Sequence, residues 1–252
     1  LTKNSEKYLK ESLDSLVEFD EVLILDNGST DKTVEIALTY SNVKVVISEF
    51  IGFGALKNLA VESAKNDWIL SIDSDEILSK ALLKEIKRAD LKDINSIYLI
   101  RRLNHYRRKT IRCCGWYPDI VPRLFNRRHT SFTDAMVHES VIVQKESKKI
   151  ELKGEILHYP FDSVEDLIDK MQRYSSLYAK ESSKSSSPLK ALFRATFAFF
   201  KNYFLQKGFL YGFEGLLISV SNANGVFYKY MKLYEREINN PTLKGEAQRN
   251  VK

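Results

Sequence analysis

Cysteine is nearly missing from this chain of 252 residues: there are two, and they are adjacent, Cys113-Cys114. Neighbouring cysteines cannot staple a small secreted fold, and no His/Cys spacing suits a zinc site, so a reducing, cytoplasmic setting is expected. Glycine and proline are sparse, at ten and five, which excludes a collagen-like or linker-dominated chain. No signal-peptide pattern opens the sequence, and no run of about 18 apolar residues is free of charged or polar interruption. No spanning helix is therefore expected. What is present is ordinary globular composition, 44% hydrophobic and 29% charged, in a chain long enough to bury a substantial core.

The charge is unevenly spread. The net value is +6, yet Arg101 to Arg128 alone holds nine Lys/Arg against one acid, Asp119, a local +8. The expected partner of that segment is anionic: a phosphate, a nucleic acid or an acidic lipid surface.

Over the first hundred residues the hydrophobic period alternates between helical and strand-like. Tyr8, Leu9, Leu13 and Leu16 share a helical face. Glu21 to Leu25 reads as a strand ending in the turn cluster Asp26 to Asp31, with Thr30 as the expected N-cap of a helix over Asp31 to Tyr40. Strands follow at Val43 to Ser48, Trp68 to Ile72 and Ser96 to Ile100, with helices ending at Ala64 and covering Ser79 to Ala89. Strands alternating with helices imply βαβ crossovers, an α/β class and a mainly parallel sheet. Ligands bind such sheets at the carboxyl ends of strands. Two strands here run directly into acids, Leu25 into Asp26 and Ile72 into Asp73-Ser74-Asp75. A period of two puts Asp73 and Asp75 on one side, where two carboxylates repel unless a cation intervenes. Oxygen ligands suit Mg²⁺ or Mn²⁺. On its own an Asp-x-Asp is a weak signal, more often a solvated turn after a strand.

Several motifs in order are more specific than one. VLILDNGSTDKT, KNLA and WILSIDSDE resemble the nucleotide-sugar half of family 2 glycosyltransferases with the GT-A fold. GWYPDIVPRLF, MVHES and LKGEILHYPF are similar to the bacterial branch that includes lipopolysaccharide-core β-1,4-glucosyltransferases. The resemblance spans about residues 1–235. That family normally opens with an apolar strand ending near Thr-x-Asn, whereas here only Leu1-Thr2-Lys3-Asn4 stands in that place. The expectation is a native chain that begins upstream, since losing a buried strand uncovers several kcal/mol of apolar surface.

The resemblance implies roles. Asp26 would accept from the nucleobase, with Thr2 and Asn4 beside it, and Lys57 would contact diphosphate or ribose. Asp73 would face the ribose or the outer shell of a Mn²⁺ or Mg²⁺ ion ligated by Asp75 and His158. Glu76 would orient the loop or serve as a first-turn acid. Glu139 would be the catalytic base of a single inverting displacement, with Asp134 and Asp119 in reserve and neighbouring His138 structural. Arg112, Trp116, Asp119 and Arg123 would bind the acceptor, Arg123 as a bidentate phosphate clamp. Solvation of the lysine and burial of the tryptophan are equally ordinary readings of Lys57 and Trp116.

The domain pattern expected is a catalytic domain over 1–182 (a nucleotide-sugar half 1–101 and an acceptor half 102–182), a Ser-rich linker at 183–188, a helical region 189–240 and a disordered tail 241–252. Ser163 caps a helix running to about Ser182. In PLKALFRATFAFFKNYFLQK, Lys190, Arg194 and Lys201 cluster on one side of a helix opposite a broad aromatic arc, a pattern suited either to an anionic membrane surface or to packing on protein. The expected function is a metal-dependent inverting transfer of a hexose, glucose by the resemblance, from a UDP-sugar to a lipid-linked inner-core lipopolysaccharide or lipooligosaccharide acceptor. The expected location is the cytoplasm, peripheral on the inner face of the inner membrane. Two other classes stay open: a sugar nucleotidyltransferase, and a basic nucleic-acid binder. The acids after the strands and the absence of RNA-recognition motifs speak against nucleic acid.

Overall fold

The computed structural model describes residues 1–136, 139–182 and 184–240. Its elements run α1 (Glu6–Asp14), β1 (Val22–Asp26), α2 (Thr33–Ala37), β2 (Val43–Ile47), α3 (Phe53–Ser63), β3 (Trp68–Leu70), β4 (Glu76–Leu78), α4 (Lys80–Lys87), β5 (Ser96–Tyr106), β6 (Lys109–Thr110), β7 (Asp119–Asn126), β8 (Lys148–Phe161), α5 (Val164–Glu181), α6 (Pro188–Phe200) and α7 (Gly212–Asn239). Between α6 and α7 stand a π-helical turn (Lys201–Leu205) and a 3₁₀ turn (Gly208–Tyr211).

The chain divides into two compact units. The first is Leu1–Asn104 with Pro118–Pro160, and the second is His105–Tyr117 with the described residues from Phe161 onward. The class is α/β with mixed pairing, but parallel pairing is narrower than the periodicity predicts. It joins β1 to β2, Val22 opposite Val43, and adds a single bridge from Thr2 to Asp26. The larger sheet has the order β3-β7-β5-β8-β4 with β6 on β5, and its registers β3–β7, β5–β7, β4–β8 and β5–β6 are antiparallel. That expectation rested on the alternation of strands and helices over the first hundred residues; β7 and β8 lie beyond them and pair antiparallel with β3, β5 and β4.

In the first unit α4 is fixed at its start by Ser79, whose hydroxyl accepts from the Leu82 N–H. It packs Leu82 and Ile86 onto Tyr98, Leu124 and Ile156 of the larger sheet. Leu9 and Leu13 of α1 cover Ile24 of β1 and Ala37 of α2. The helix α2 is shorter than predicted and begins after Lys32, not at Thr30. Asp31 instead accepts from the Thr33 N–H at 3.0 Å. Between the edges of β1 and β3 lies a cavity of about 500 Å³, lined by apolar side chains such as Leu13, Ile24, Ile69 and Leu124, with Lys57 and Asp73 among its polar lining.

In the second unit the boundary expected at 183–188 does not separate domains. The helices on either side of it belong together because α5 packs along α7: Lys232 Nζ reaches Gln172 Oε1 at 2.9 Å and Ser175 Oγ at 2.8 Å. A capping box between Ser163 and Asp166 starts α5 as the sequence predicts. Cys113 and Cys114 are buried without a disulfide, in a core with Tyr106, Ile111, Phe161 and Ile218. Burial pushes the Cys113 thiol up to about 12, so it is an inert packing group. The tail 241–252 lies outside the described residues. Among the described residues no helix is long and apolar enough to cross a membrane.

Candidate active site

The loop after β1 is built on Asp26. Its Oδ1 accepts from the backbone N–H groups of Gly28 (3.0 Å) and Ser29 (2.8 Å), and its Oδ2 from the hydroxyls of Thr2 (2.8 Å) and Ser29 (2.5 Å). Burial opposes ionisation, but the Ser29, Thr2 and Gly28 hydrogen bonds outweigh it and hold the carboxyl below its ordinary range. Asn4 joins the same loop, its Oδ1 accepting from the Thr30 N–H at 2.8 Å. The expected grouping of Thr2, Asn4 and Asp26 is therefore physical. Its chemistry differs from expectation: four donors already fill the Asp26 carboxylate, so direct contact with a base would require displacing one of them.

The second strand-end acid enters a buried network. Because β3 pairs with β7, the Ser71 N–H donates to the Arg123 carbonyl at 2.8 Å, which brings the Arg123 guanidinium to the following acids. It donates to Asp73 Oδ2 at 2.9 Å and to Glu76 Oε1, and Glu76 is fully buried. Lys57, on the buried side of α3, puts Nζ 3.1 Å from both Asp73 Oδ1 and Glu139 Oε1. This helix approaches residues 133–135 closely: a Cβ on Gly54 would lie 2.0 Å from the Thr133 carbonyl oxygen. Asn58 clamps the same stretch, bonding both the Phe132 backbone and Asp134. Burial alone would raise Asp73; Arg123 and then Lys57 hold it well below the usual carboxylate range.

Two expectations change here. Arg123 is no phosphate clamp, since its partners are carboxylates of this chain and it is almost wholly buried. Lys57 is neither a solvated helix lysine nor an open diphosphate ligand, but the ammonium that bridges Asp73 and Glu139.

The third group is set by β4 against β8, whose register places His158 opposite Glu76 and so beside Asp75. His158 Nε2 lies 3.5 Å from Asp75 Oδ2, and its Nδ1 lies 2.6 Å from Asn104 Oδ1. Asn104 in turn donates from Nδ2 to Asp119 Oδ2 at 3.2 Å, and Arg102 holds that carboxylate at 2.8 Å. An ionised carboxylate only accepts, so Asp119 turns the Asn104 amide and leaves its oxygen facing the imidazole. The histidine must then carry its proton on Nδ1. A neutral ring would offer the Nε2 lone pair toward Asp75, and a protonated ring an N–H. Burial raises the Asp75 carboxyl, but the hydrogen bond and charge that a protonated His158 ring presents to it prevail, and the net direction is downward.

Together these residues form a chain of alternating charge, closed through Arg102 to Glu76 at 3.5 Å. Among the described side chains, five carboxylates (Asp73, Asp75, Glu76, Asp119, Glu139) face three Lys/Arg cations (Lys57, Arg102, Arg123), two more acids than Lys and Arg. Two lone-pair donors 3.5 Å apart in such a field fit a shared divalent ion. Among the described residues no group of three or more His/Cys/Asp/Glu is arranged to hold a metal, so Asp75 and His158 would be two protein ligands leaving positions for substrate oxygens. The periodicity missed Arg102 and Asn104; neither carries a local motif.

The basic segment is mostly neutralised within the chain. Arg101 pairs with Glu151, Arg102 with Asp119, Arg127 and Arg128 with Asp67, and Lys109 with Glu214. This removes the argument for a nucleic-acid face. Asp119 is engaged by Arg102 and Asn104 rather than held ready for an acceptor. Arg112 and Trp116 belong to the second unit. There the Arg112 guanidinium stacks 4.7 Å above the Tyr117 ring, and Trp116 packs 5.3 Å from Phe161. Neighbouring His138 lies outside the described residues.

The glycosyl transferase family 2 model matches residues 1–142. An "Uncharacterized glycosyltransferase" of Rickettsia bellii is 32% identical over 261 residues, covering 98% of this chain and 88% of its own length. The "Lipopolysaccharide core biosynthesis glycosyltransferase LpsC" of Rhizobium meliloti is 27% identical, over 92% of this chain and 89% of its own. Among solved structures, S. aureus TarS 1-349 in complex with UDP-GlcNAc aligns with a TM-score of 0.44 and 17% identity, over 95% of this chain and 90% of that one. By the family model and the extent of the Rickettsia likeness, this chain belongs to glycosyl transferase family 2.

Proposed function

We propose that this family 2 glycosyltransferase is an inverting, divalent-metal-dependent hexosyltransferase that uses a UDP-sugar, UDP-glucose by preference. Its acceptor would be a lipid-linked inner-core lipopolysaccharide or lipooligosaccharide, reached from the cytoplasmic face of the inner membrane. The acceptor class is supported by the likeness to the lipopolysaccharide core biosynthesis glycosyltransferase LpsC. The single observation that carries the chemistry is the Asp75–His158 pair within a cluster whose described acids outnumber its Lys and Arg by two.

In this reading the Asp26 loop, with Thr2 and Asn4, forms the wall beside the nucleobase, and Asp73 faces the ribose. Asp75 and His158 would hold Mn²⁺ or Mg²⁺. When bound, such an ion supplies charge neutralisation for the departing diphosphate. Glu139, whose Oε1 is held by Lys57, takes the acceptor hydroxyl proton at Oε2 as the glycosidic bond forms and the diphosphate leaves in line. Arg112 and Trp116 stay acceptor-binding candidates on the family resemblance alone.

The test is Mn²⁺ titration followed by electron paramagnetic resonance, with UDP present, on wild type, Asp75→Asn and His158→Ala. Wild type should bind the ion and both variants should lose most of that binding while keeping their circular dichroism. Unchanged Mn²⁺ affinity in both variants would sink the metal assignment. Product analysis by NMR with a panel of UDP-sugars and a truncated core acceptor then identifies sugar and linkage.

A further inference from the structure

Among the described residues, the second unit exposes an apolar surface that nothing in its own packing covers. At 100° per residue, Ala191, Ala195, Ala198 and Asn202 share one face of the α6 segment. Ala191 and Asn202 are buried and the other two half-buried, with α7 against that face. The opposite face carries Leu189, Leu192, Phe193, Phe197 and Phe200. All five are exposed, Leu189 to 80% and Phe193 to 73%. The surface continues around the turns into α7 through Phe204, Leu205, Phe209, Leu210 and Phe213, each about half-exposed or more. Ten large apolar side chains in one 25-residue stretch exceed the scattered exposure normal for a soluble surface.

The turn region is rigidly seated and not a frayed end. A Cβ on Gly215 would fall 1.9 Å from the Gly208 carbonyl oxygen, and one on Gly208 would meet Ser219 Oγ at 2.8 Å and Cys114 Sγ at 2.9 Å. Asn222 donates to Asn202 Oδ1 and to the Cys114 carbonyl, tying α7 to the π-helical turn. The turns that carry the exposed aromatics are therefore seated by close contacts at Gly208 and Gly215 that leave no room for a side chain.

Charge identifies the occupant. Between Ser182 and Phe213 there is no Asp or Glu, while Lys184, Lys190, Arg194, Lys201 and Lys207 are all present and exposed. The first acid beyond, Glu214, is neutralised by Lys109 at 2.7 Å. A second copy of this chain is disfavoured as the cover, because an isologous contact would set this same cation-rich, acid-free patch against itself. A bilayer bearing anionic headgroups satisfies both features: its acyl boundary takes the aromatics and its phosphates the cations. The segment cannot span. The 13 residues of α6 reach about 20 Å, short of the roughly 30 Å hydrocarbon core.

We infer that α6, the two turns after it and the start of α7 form a docking surface that lies in the interface of an anionic membrane. Binding to lipid does not depend on the donor, the metal or the acceptor. The consequence that docking concentrates the enzyme near a lipid-linked acceptor rests on the function proposed above.

The experiment is co-sedimentation of the full chain with phosphatidylcholine vesicles, with and without phosphatidylglycerol, at low and high salt. Two variants accompany wild type: Phe193→Ser/Phe209→Ser/Leu210→Ser and Arg194→Glu/Lys201→Glu/Lys207→Glu. All six side chains are exposed, so both variants should keep wild-type circular dichroism and metal-dependent UDP-sugar turnover in solution. Wild type should pellet with the anionic vesicles, more at low salt. The charge variant should bind about a hundredfold more weakly, at about 1 kcal/mol per basic residue, and the apolar variant should also be released. Wild type remaining in the supernatant with every vesicle overturns the inference. So does binding that neither variant weakens, or a wild-type dimer in analytical ultracentrifugation that the apolar variant alone abolishes while vesicles bind neither. Loss of vesicle binding with turnover intact tells against the surface alone; loss of turnover in wild type tells against the function alone.

Discussion

His158 faces Asp75 across 3.5 Å with its other ring nitrogen already committed to Asn104, 2.6 Å away. Asn104 thereby acts on the metal site without being a ligand, as the group that decides which nitrogen looks at Asp75. Asn104→Leu removes the acceptor that fixes the Nδ1 proton and frees the ring to turn. Mn²⁺ affinity measured with UDP present should fall by about 10–100-fold, the usual effect of losing such an outer partner. Asn104→Asp, which can still accept from Nδ1–H but sets a second carboxylate against Asp119, should restore part of it. Equal loss in both variants would mean that Asn104 serves folding alone.

Arg123 gives a stability prediction opposite to that of a phosphate clamp. Removing its guanidinium in Arg123→Met leaves Glu76, which has no exposed surface, with only the longer Arg102 contact and the Asp73 N–H, and takes the strongest cation from Asp73. Breaking a buried pair by deleting one partner costs about 3–5 kcal/mol. For a protein of this size that corresponds to a fall in Tm on the order of 10 °C. Differential scanning calorimetry on the protein without substrate decides the matter. A Tm within a degree or two of wild type would return Arg123 to the substrate-binding residues.

What the sequence made legible, and what it hid, divides along range. The apolar runs EVLIL and WILSI end in acids, and a strand that ends in an acid is a local fact, so Asp26, Asp73 and Asp75 stood out. The motifs carried His158 and Glu139 only through their order along the chain. Nothing local marked Arg102 or Asn104, whose meaning comes from β5 lying between β7 and β8. The nine cations from Arg101 to Arg128 looked like an anion site because their acidic partners, Asp67, Glu76, Glu151 and Glu214, lie far away in sequence. Lys57 was ambiguous for the same reason: a lysine on an amphipathic helix gives no sign that two carboxylates await it. The aromatic arc of α6 was readable as an arc, but only the structure shows that it faces away from α7.

Acid should unfold this protein through its paired carboxylates. The folded-state pKa values of Asp26 and Asp73 both lie below their ordinary value, so each contributes stability that is fully present above the unfolded pKa of about 3.9. That contribution is lost as pH falls from there through the lowered folded values. Urea midpoints should hold from about pH 7 to about pH 5 and drop steeply below about pH 4. Asp26→Asn should be less stable at neutral pH by about 1–3 kcal/mol, since an amide cannot accept four hydrogen bonds. Its acid limb should also be shallower. An acid limb identical to that of wild type would show that Asp26 contributes nothing to acid sensitivity.

Glu139 is the proposed base, and its setting makes the isosteric test clean. Lys57 holds Oε1 at 3.1 Å and reaches Asp73 at the same distance, so truncating either residue would disturb both acids at once. Glu139→Gln keeps the side-chain shape and leaves a carbonyl oxygen for Lys57, while removing the ability to take up a proton. The expected result is a loss in kcat on the order of 10²–10⁴ with donor affinity little changed. Calorimetry with UDP and single-turnover kinetics at saturating donor measure the two quantities separately. A rise in donor KM with kcat intact would make Glu139 a binding residue. The proton would then fall to another acid, and of the two in reserve Asp134 is the better placed: it is exposed and touched by Asn58, whereas Asp119 is already held by Arg102 and Asn104.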